Sequence, residues 1–99
     1  MCGIFGSFSQ AINNYVDYSS INNLIKHSKE RGRDSSGFVN IESNSYSIYK
    51  ADFSIDKLFK SVNKVNTSFV FGHSRLITNG LTDNQPLNSD NVILIHNGI

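Results

Sequence analysis

The sequence is poor in the residues that mark several common classes of protein. It holds one cysteine, one proline and no tryptophan among 99 residues. A single cysteine excludes an internal disulfide framework, so a reduced, cytoplasmic location is expected. The longest aliphatic run, residues 92–95, is far shorter than the roughly 18 residues that a membrane-spanning helix needs. No secretory signal is predicted, because the first residues lack a basic segment and an uninterrupted apolar core.

Charge is also scarce. Charged residues make up 17% of the chain, the net charge is +1, and neither sign forms a block. We therefore expect neither a nucleic-acid partner nor a membrane-surface partner. A hydrophobic content of 38% is typical of a folded chain, and the length suits one small domain or part of a larger one.

The hydrophobic pattern predicts an α+β fold. Apolar residues at helical spacing indicate one helix with Ser19 or Ser20 as its N-cap. Gly32 would follow its last turn as the C′ residue, a position that usually has left-handed backbone. A second helix is predicted after Ser54, its possible N-cap. The first strand carries apolar residues on both faces, which predicts burial on both sides. The last strand leads into an Asn-Gly pair without a return strand, which suggests a domain cut in its middle. The predicted strands cover residues 2–8, 37–41, 46–49, 68–71 and 91–96.

Cys2 is the first candidate for chemistry. If Met1 is removed, its thiol and a free α-amine belong to one residue. An α-amine is partly neutral near pH 7 and can accept a proton, whereas a free thiol is mostly protonated and needs a base. An N-terminal cysteine can therefore supply its own base as a nucleophile. The alternative is a small buried hydrophobic residue, which most free cysteines are.

Two other segments could bind the charges that such a reaction involves. Asn97 and Gly98 offer a side-chain amide and a backbone N–H to an oxyanion, although Asn-Gly is also a common hairpin turn. Arg75 precedes Thr78 and Asn79, and an arginine can bind a carboxylate through two parallel hydrogen bonds. An ordinary surface arginine beside a turn is the alternative.

The histidines give no metal signal. His27, His73 and His96 match no short ligand spacing, and Cys2 has no second cysteine beside it. We therefore predict no metal site.

The order of the short motifs is more informative than any one of them. MCGIFG, RGRDSSG, GHSR, QPL and HNG begin at residues 1, 31, 72, 85 and 96. Together they closely resemble the class II glutamine amidotransferase domain, which belongs to the N-terminal nucleophile hydrolases. The resemblance implies a four-layer αββα sandwich, incomplete at the C-terminus. Residues 1–99 would form the N-terminal part of such a domain.

The resemblance also assigns roles at the reacting centre. Cys2 would attack the side-chain amide of glutamine and release ammonia, with its α-amine as general base and later as acid. Asn97 and Gly98 would form the oxyanion hole. The glutamyl thioester would then be hydrolysed, without a cofactor.

A second group of residues would bind the rest of the substrate. The resemblance implies that Arg75 holds the α-carboxylate of glutamine, assisted by Thr78 and Asn79. Arg31 and Gly32 would line the site near the nucleophile. The family binds the α-amine through an acidic residue that follows the oxyanion motif, and these 99 residues contain no such position.

The acceptor of the ammonia stays open. An acceptor-binding synthase domain is the partner that the resemblance implies, and a homo-oligomer is compatible with the sequence. The motifs are most similar to glutamine–fructose-6-phosphate aminotransferase, although Leu76 and Asn79 stand where that branch often has Trp and His. Asparagine synthetase and amidophosphoribosyltransferase are alternatives. Outside this reading, the chain could be an inactive fragment, a binding module or a hydrolase of another amide.

Overall fold

The computed structural model describes residues 2–10, 15–42, 45–62, 66–76 and 84–97. These residues form an α+β fold, which confirms the predicted class. Along the chain, the elements are β1 (Gly3–Phe8), α1 (Tyr18–Arg31), β2 (Ser35–Ile41), β3 (Tyr46–Ala51), α2 (Ile55–Ser61), β4 (Phe69–Arg75), β5 (Leu87–Ser89) and β6 (Val92–Leu94).

Four of the strands form one antiparallel sheet in the order β1-β4-β2-β3. The first strand of the chain is therefore an edge strand, and it pairs with β4 from Gly3 opposite Ser74 to Phe8 opposite Phe69. The predicted hairpin joins β2 to β3, and the Glu42 N–H donates to the Ser45 carbonyl at 2.8 Å. Strands β5 and β6 form a separate hairpin.

Both helices pack on one face of this sheet. Phe38 of β2 lies at the centre, with its ring 5.0 Å from that of Tyr49 and 5.1 Å from that of Phe59. Ile21 and Ile25 of α1 are almost fully buried against the same cluster. Burial of each such side chain contributes about 1.5–3 kcal/mol, so this apolar layer is what holds α1 and α2 on the sheet.

The opposite face of the sheet is open along β1, contrary to the burial predicted for that strand, whereas Val39 and His73 on the same face are buried. Ile4 and Phe8 alternate with the buried residues of β1 and are 46% and 64% exposed. Phe8 makes an edge-on ring contact with Phe69 on β4, and Tyr46 on β3 is exposed as well. Phe8, Phe69 and Tyr46 thus lie at one end of this face with much of their surface exposed to solvent.

The ends of α1 differ in detail from the prediction. Asp17, and not one of the serines, is the N-cap, and its carboxylate accepts the Ser19 N–H at 3.1 Å. The hydroxyls of Ser19 and Ser20 bond to the same carboxylate. These hydrogen bonds lower the pKa of Asp17. Gly32 follows the helix, but with extended backbone at φ −177° instead of the left-handed form.

The last predicted strand is shorter than expected, and it pairs with the strand that precedes it. Residues 92–94 pair with the preceding strand β5, through a turn in which Asp90 has φ 50°. The sequence signal for β5 was missed because its three residues are exposed and show no alternation. Gly98, on which the expected unpaired turn depends, lies outside the described residues.

Close packing of α1 on β1 depends on Gly3. A Cβ at Gly3 would lie 2.5 Å from the Ser28 carbonyl oxygen and 2.8 Å from the Ser74 hydroxyl. We expect Gly3→Ala to lower the free energy of unfolding by about 1–3 kcal/mol, the usual cost of overpacking. Gly6→Ala is the matched control on the same strand, because the nearest atoms to its Cβ would be Phe71 Cβ at 3.2 Å and the Val70 carbonyl oxygen at 3.4 Å. Urea denaturation of both variants tests the prediction, and equal stability of the two would contradict it.

Candidate functional site

The candidate nucleophile and the candidate carboxylate-binding arginine lie at the same end of two neighbouring strands. Gly3 and Ser74 form the last pair of β1 with β4, and Cys2 and Arg75 are the next residues beyond that pair. On its other side, Arg75 pairs with Ser35 of β2. Cys2 and Arg75 therefore lie at the same end of two neighbouring strands, although Arg75 does not line the cleft beside Cys2.

Cys2 is half-buried and lines a cleft of about 570 Å³ between β1 and α1. A volume in this range accommodates a small molecule. Arg31 contributes to the helix side of the cleft, as do four other residues of α1 that were not predicted to line a site. The side chains of α1 that line it are Leu24, His27, Ser28, Glu30 and Arg31. Their spacing of three and four residues is that of one helix face, and this signal is readable in the sequence.

Asn97 also lines the cleft and contacts Cys2 directly. The main-chain N–H of Cys2 donates to Asn97 Oδ1 at 3.2 Å. Since an N–H can only donate, the amide of Asn97 must present its oxygen to Cys2. The Nδ2 group is then the donor end of that side chain, beside the candidate nucleophile.

The residue before Asn97 is bonded through both of its backbone polar groups. His73 Nε2 lies 3.1 Å from the His96 carbonyl oxygen. The His96 N–H donates to Gln85 Oε1. A carbonyl oxygen can only accept, so His73 carries a proton on Nε2. This side chain is 1% exposed.

The electrostatics of His73 favour its neutral form. Burial lowers its pKa most strongly, and the hydrogen bond to the His96 carbonyl opposes this effect. The charges of Arg75 and His96 lower the pKa further. A neutral His73 with its proton on Nε2 is therefore the form that we assign at neutral pH.

Buried hydroxyls join α1 to the sheet next to Cys2. The Oγ atoms of Ser28 and Ser74 are 2.7 Å apart, and the Ser74 hydroxyl also donates to the Ser28 carbonyl. Both serines are almost completely buried. Because Gly3 has no side chain, this contact can form directly against β1 and hold the helix face that lines the cleft.

The loop after α1 holds the main chain of Arg75. The Asp34 N–H donates to the Arg75 carbonyl at 2.9 Å. A Cβ at Gly32 would lie 2.4 Å from both the Arg75 carbonyl carbon and the Leu76 nitrogen. Gly32 is therefore in contact with the backbone of the arginine strand, whereas its neighbour Arg31 faces the Cys2 cleft.

A second glycine of the same motif makes room for the QPL segment. A Cβ at Gly37 would lie 1.8 Å from the Gln85 carbonyl oxygen and 2.9 Å from Pro86 Cδ. Pro86 is fully buried. The segment that carries Gln85 thus lies directly on the sheet, on the face to which His73 belongs.

Three predicted site residues, Thr78, Asn79 and Gly98, lie outside the described part of the chain. Within the described ranges, no group of three or more His, Cys, Asp or Glu side chains could hold a metal ion. Neither described helix is long and apolar enough to cross a membrane.

Comparison with known proteins adds no relative: no family model, curated protein or solved structure matches the chain.

The buried His73 predicts a pH dependence of stability. Its pKa in the folded state lies below the ordinary value of 6.5, so the unfolded chain binds a proton first as the pH falls. We expect the free energy of unfolding to be highest above pH 6.5 and to decrease below it, toward the lower folded pKa. The His73→Gln variant should lose this component. Denaturation at a series of pH values measures it.

Phe59→Leu is the control for that series. It removes core packing and no titratable group, so its curve should lie lower with the same shape. A His73→Gln curve that parallels the wild type between pH 6.5 and 5 would contradict the assignment.

Proposed function

We propose that the chain is the N-terminal part of a glutamine-hydrolysing domain of the class II amidotransferase type, with Cys2 as nucleophile. The observation that carries the proposal is the contact between Cys2 and Asn97, whose hydrogen-bonded atoms are 3.2 Å apart. These residues are 95 positions apart in the chain. The motif order predicted a functional link between them, and this short contact supports it.

The proposed reaction starts with proton transfer within Cys2. After Met1 has been removed, the α-amine takes the thiol proton, and the thiolate attacks the side-chain amide carbon of glutamine. The negative charge moves to the amide oxygen, where Asn97 Nδ2 and the Gly98 N–H would donate to it. Collapse of this intermediate breaks the C–N bond, and the protonated α-amine gives its proton to the departing NH2 group, which leaves as ammonia. Water then hydrolyses the thioester.

The position of Arg75 supports an amino-acid substrate. Its strand pairs with β1, and Arg75 and Cys2 are the residues next to the last pair of that ladder. Arg75 is not among the residues that line the cleft, so its guanidinium would have to reach the substrate from the neighbouring strand. A guanidinium binds a carboxylate with two parallel charge-assisted hydrogen bonds. The hydrogen bond from the Asp34 N–H to the Arg75 carbonyl and the close approach of Gly32 hold the arginine backbone. In the proposed site, Thr78 and Asn79 would complete the group that binds the carboxylate.

The open sheet face supports the four-layer architecture that we propose for the complete domain. Ile4, Phe8, Tyr46 and Phe69 give one side of the sheet an apolar surface, while helices cover the other side. A second sheet packed on this surface would bury it. The ammonia would serve an acceptor domain, most similar to that of the aminosugar branch, in a cytoplasmic enzyme that needs no cofactor for hydrolysis.

Replacement of Cys2 tests the proposal directly. Cys2→Ala and Cys2→Ser should abolish or cripple release of ammonia from glutamine by the complete protein, because no other side chain supplies the nucleophile. Iodoacetamide should alkylate Cys2 in the wild type, and mass spectrometry should find that residue at the N-terminus. Ser7→Ala, on the same strand, is the matched control. Near-normal ammonia release by Cys2→Ala would refute the proposed reaction.

Arg75 gives a second test, of substrate binding. Charge-assisted hydrogen bonds contribute about 1.5–3 kcal/mol, so Arg75→Lys should raise KM for glutamine by about tenfold or more. Hydrolysis of 4-aminobutanamide, which is glutamine without its α-carboxylate, should be equally slow in both proteins. Arg33→Lys, on an exposed residue, is the control. An Arg75→Lys variant with unchanged KM would show that the carboxylate binds elsewhere.

A further inference from the structure

Two motif residues take no part in the proposed reaction, yet both contact the main chain of the same residue. His73 belongs to GHSR on β4, and Gln85 belongs to QPL in the segment before β5. His73 bonds to the carbonyl of His96, and Gln85 bonds to its N–H. Two side chains from different segments therefore bind both backbone polar groups of His96, one its N–H and the other its carbonyl oxygen.

The residue that they hold, His96, directly precedes Asn97. Residues 95–97 have no regular secondary structure, so no strand ladder orders them. The side chain of Asn97 is exposed, and the contact that ties it to the cleft is the one with Cys2. Its position relative to Cys2 thus depends on the backbone at His96, where both hydrogen-bonding groups are engaged.

The two holding side chains are themselves well anchored. His73 lies in the middle of the sheet, where it pairs with Ile4 of β1 and with Gly37 of β2. Its burial leaves the imidazole little freedom to turn. Gln85 is anchored because its own backbone lies against Gly37 and the next residue, Pro86, is fully buried. A single glycine therefore makes room for the segment that holds His96.

We propose that His73 and Gln85 are positioning residues that hold the backbone of His96 and thereby aim Asn97 at the reacting centre. This inference rests on the proposed function, because it gives Asn97 the role of oxyanion donor. Neither residue touches the substrate. Their effect is to fix a donor in place before charge develops, which is the condition for effective oxyanion stabilisation.

The first experiment removes each hydrogen bond with a side chain of similar size. Loss of one oxyanion donor typically lowers kcat by about 10²–10³-fold. We expect His73→Leu and Gln85→Leu to lower kcat for glutamine by about 100-fold at most, with KM unchanged. His73→Gln keeps an N–H donor and Gln85→Glu keeps an oxygen acceptor, so both should recover most of the activity.

A double-mutant cycle with Asn97→Ala tests whether the effect passes through Asn97. Residues that act on one shared group are non-additive. His73→Leu should therefore cost no further activity once Asn97 is alanine, and the same applies to Gln85→Leu. Should His73→Leu fail to fold, the Gln85 pair alone completes the cycle, since Gln85 is only half-buried.

The rate of Cys2 alkylation distinguishes a loss of oxyanion positioning from a general disruption of the site. Iodoacetamide reacts with the thiolate by displacement at a CH₂ group, so no oxyanion forms. The rate at which it labels Cys2 should be similar in the wild type and in both leucine variants. Phe59→Leu, in the helix-side core, is the control for lowered stability and should keep its kcat.

Amide hydrogen exchange gives a readout that does not depend on activity. The His96 N–H should exchange slowly in the wild type and rapidly in Gln85→Leu, and Gln85→Glu should restore its protection. Fast exchange in the wild type would overturn the proposed contact.

The outcomes distinguish the two proposals. A wild-type protein that releases no ammonia from glutamine refutes the proposed function, and the positioning role for catalysis falls with it. An active wild type in which His73→Leu and Gln85→Leu keep full kcat overturns the positioning role alone. So does an active wild type in which both variants lose as much activity in the Asn97→Ala background as in the native one.

Discussion

The antiparallel pairing of β1 with β4 is the interaction on which the rest of the site depends. It brings the beginning of the chain beside the end of a central strand, with residues 2 and 75 directly beyond the last pair of the ladder. Each of these strands is also held from the helix side, by Gly3 and Ser74 against Ser28. Backbone hydrogen bonds thus determine the relative positions of two side chains that are far apart in sequence, and side-chain packing keeps α1 close to both.

Glycine is used in this fold as a means of close approach. At Gly3 it admits a helix, at Gly32 it admits the backbone of Arg75, and at Gly37 it admits the Gln85 segment. None of these three glycines has the positive φ that only glycine adopts readily. The shared feature is that a second chain segment occupies the space where a side chain would be, so the motifs that contain these glycines describe packing as much as chemistry.

The sequence predicted the elements better than the contacts between them. The spacing of Ile21, Leu24 and Ile25 sufficed for α1, and the runs around Phe38 and Phe69 sufficed for β2 and β4. The cap at Asp17 was missed because serines in the same region satisfy the same rule. The contacts of His73 and Gln85 with His96 could not be read from any local pattern, because they depend on how the sheet orders its strands. The cleft-lining residues Leu24, His27, Ser28 and Glu30 could have been predicted, because they share one helix face with Arg31.

The contact between the Cys2 nitrogen and Asn97 has a practical consequence for anyone who makes this protein. Any group joined to that nitrogen begins 3.2 Å from the Asn97 amide oxygen and inside the cleft that α1 lines. An affinity tag at that position, or a residue left by a protease after tag removal, would compete for this cleft with the glutamine of the proposed reaction. A tag is therefore better placed at the other end of the protein.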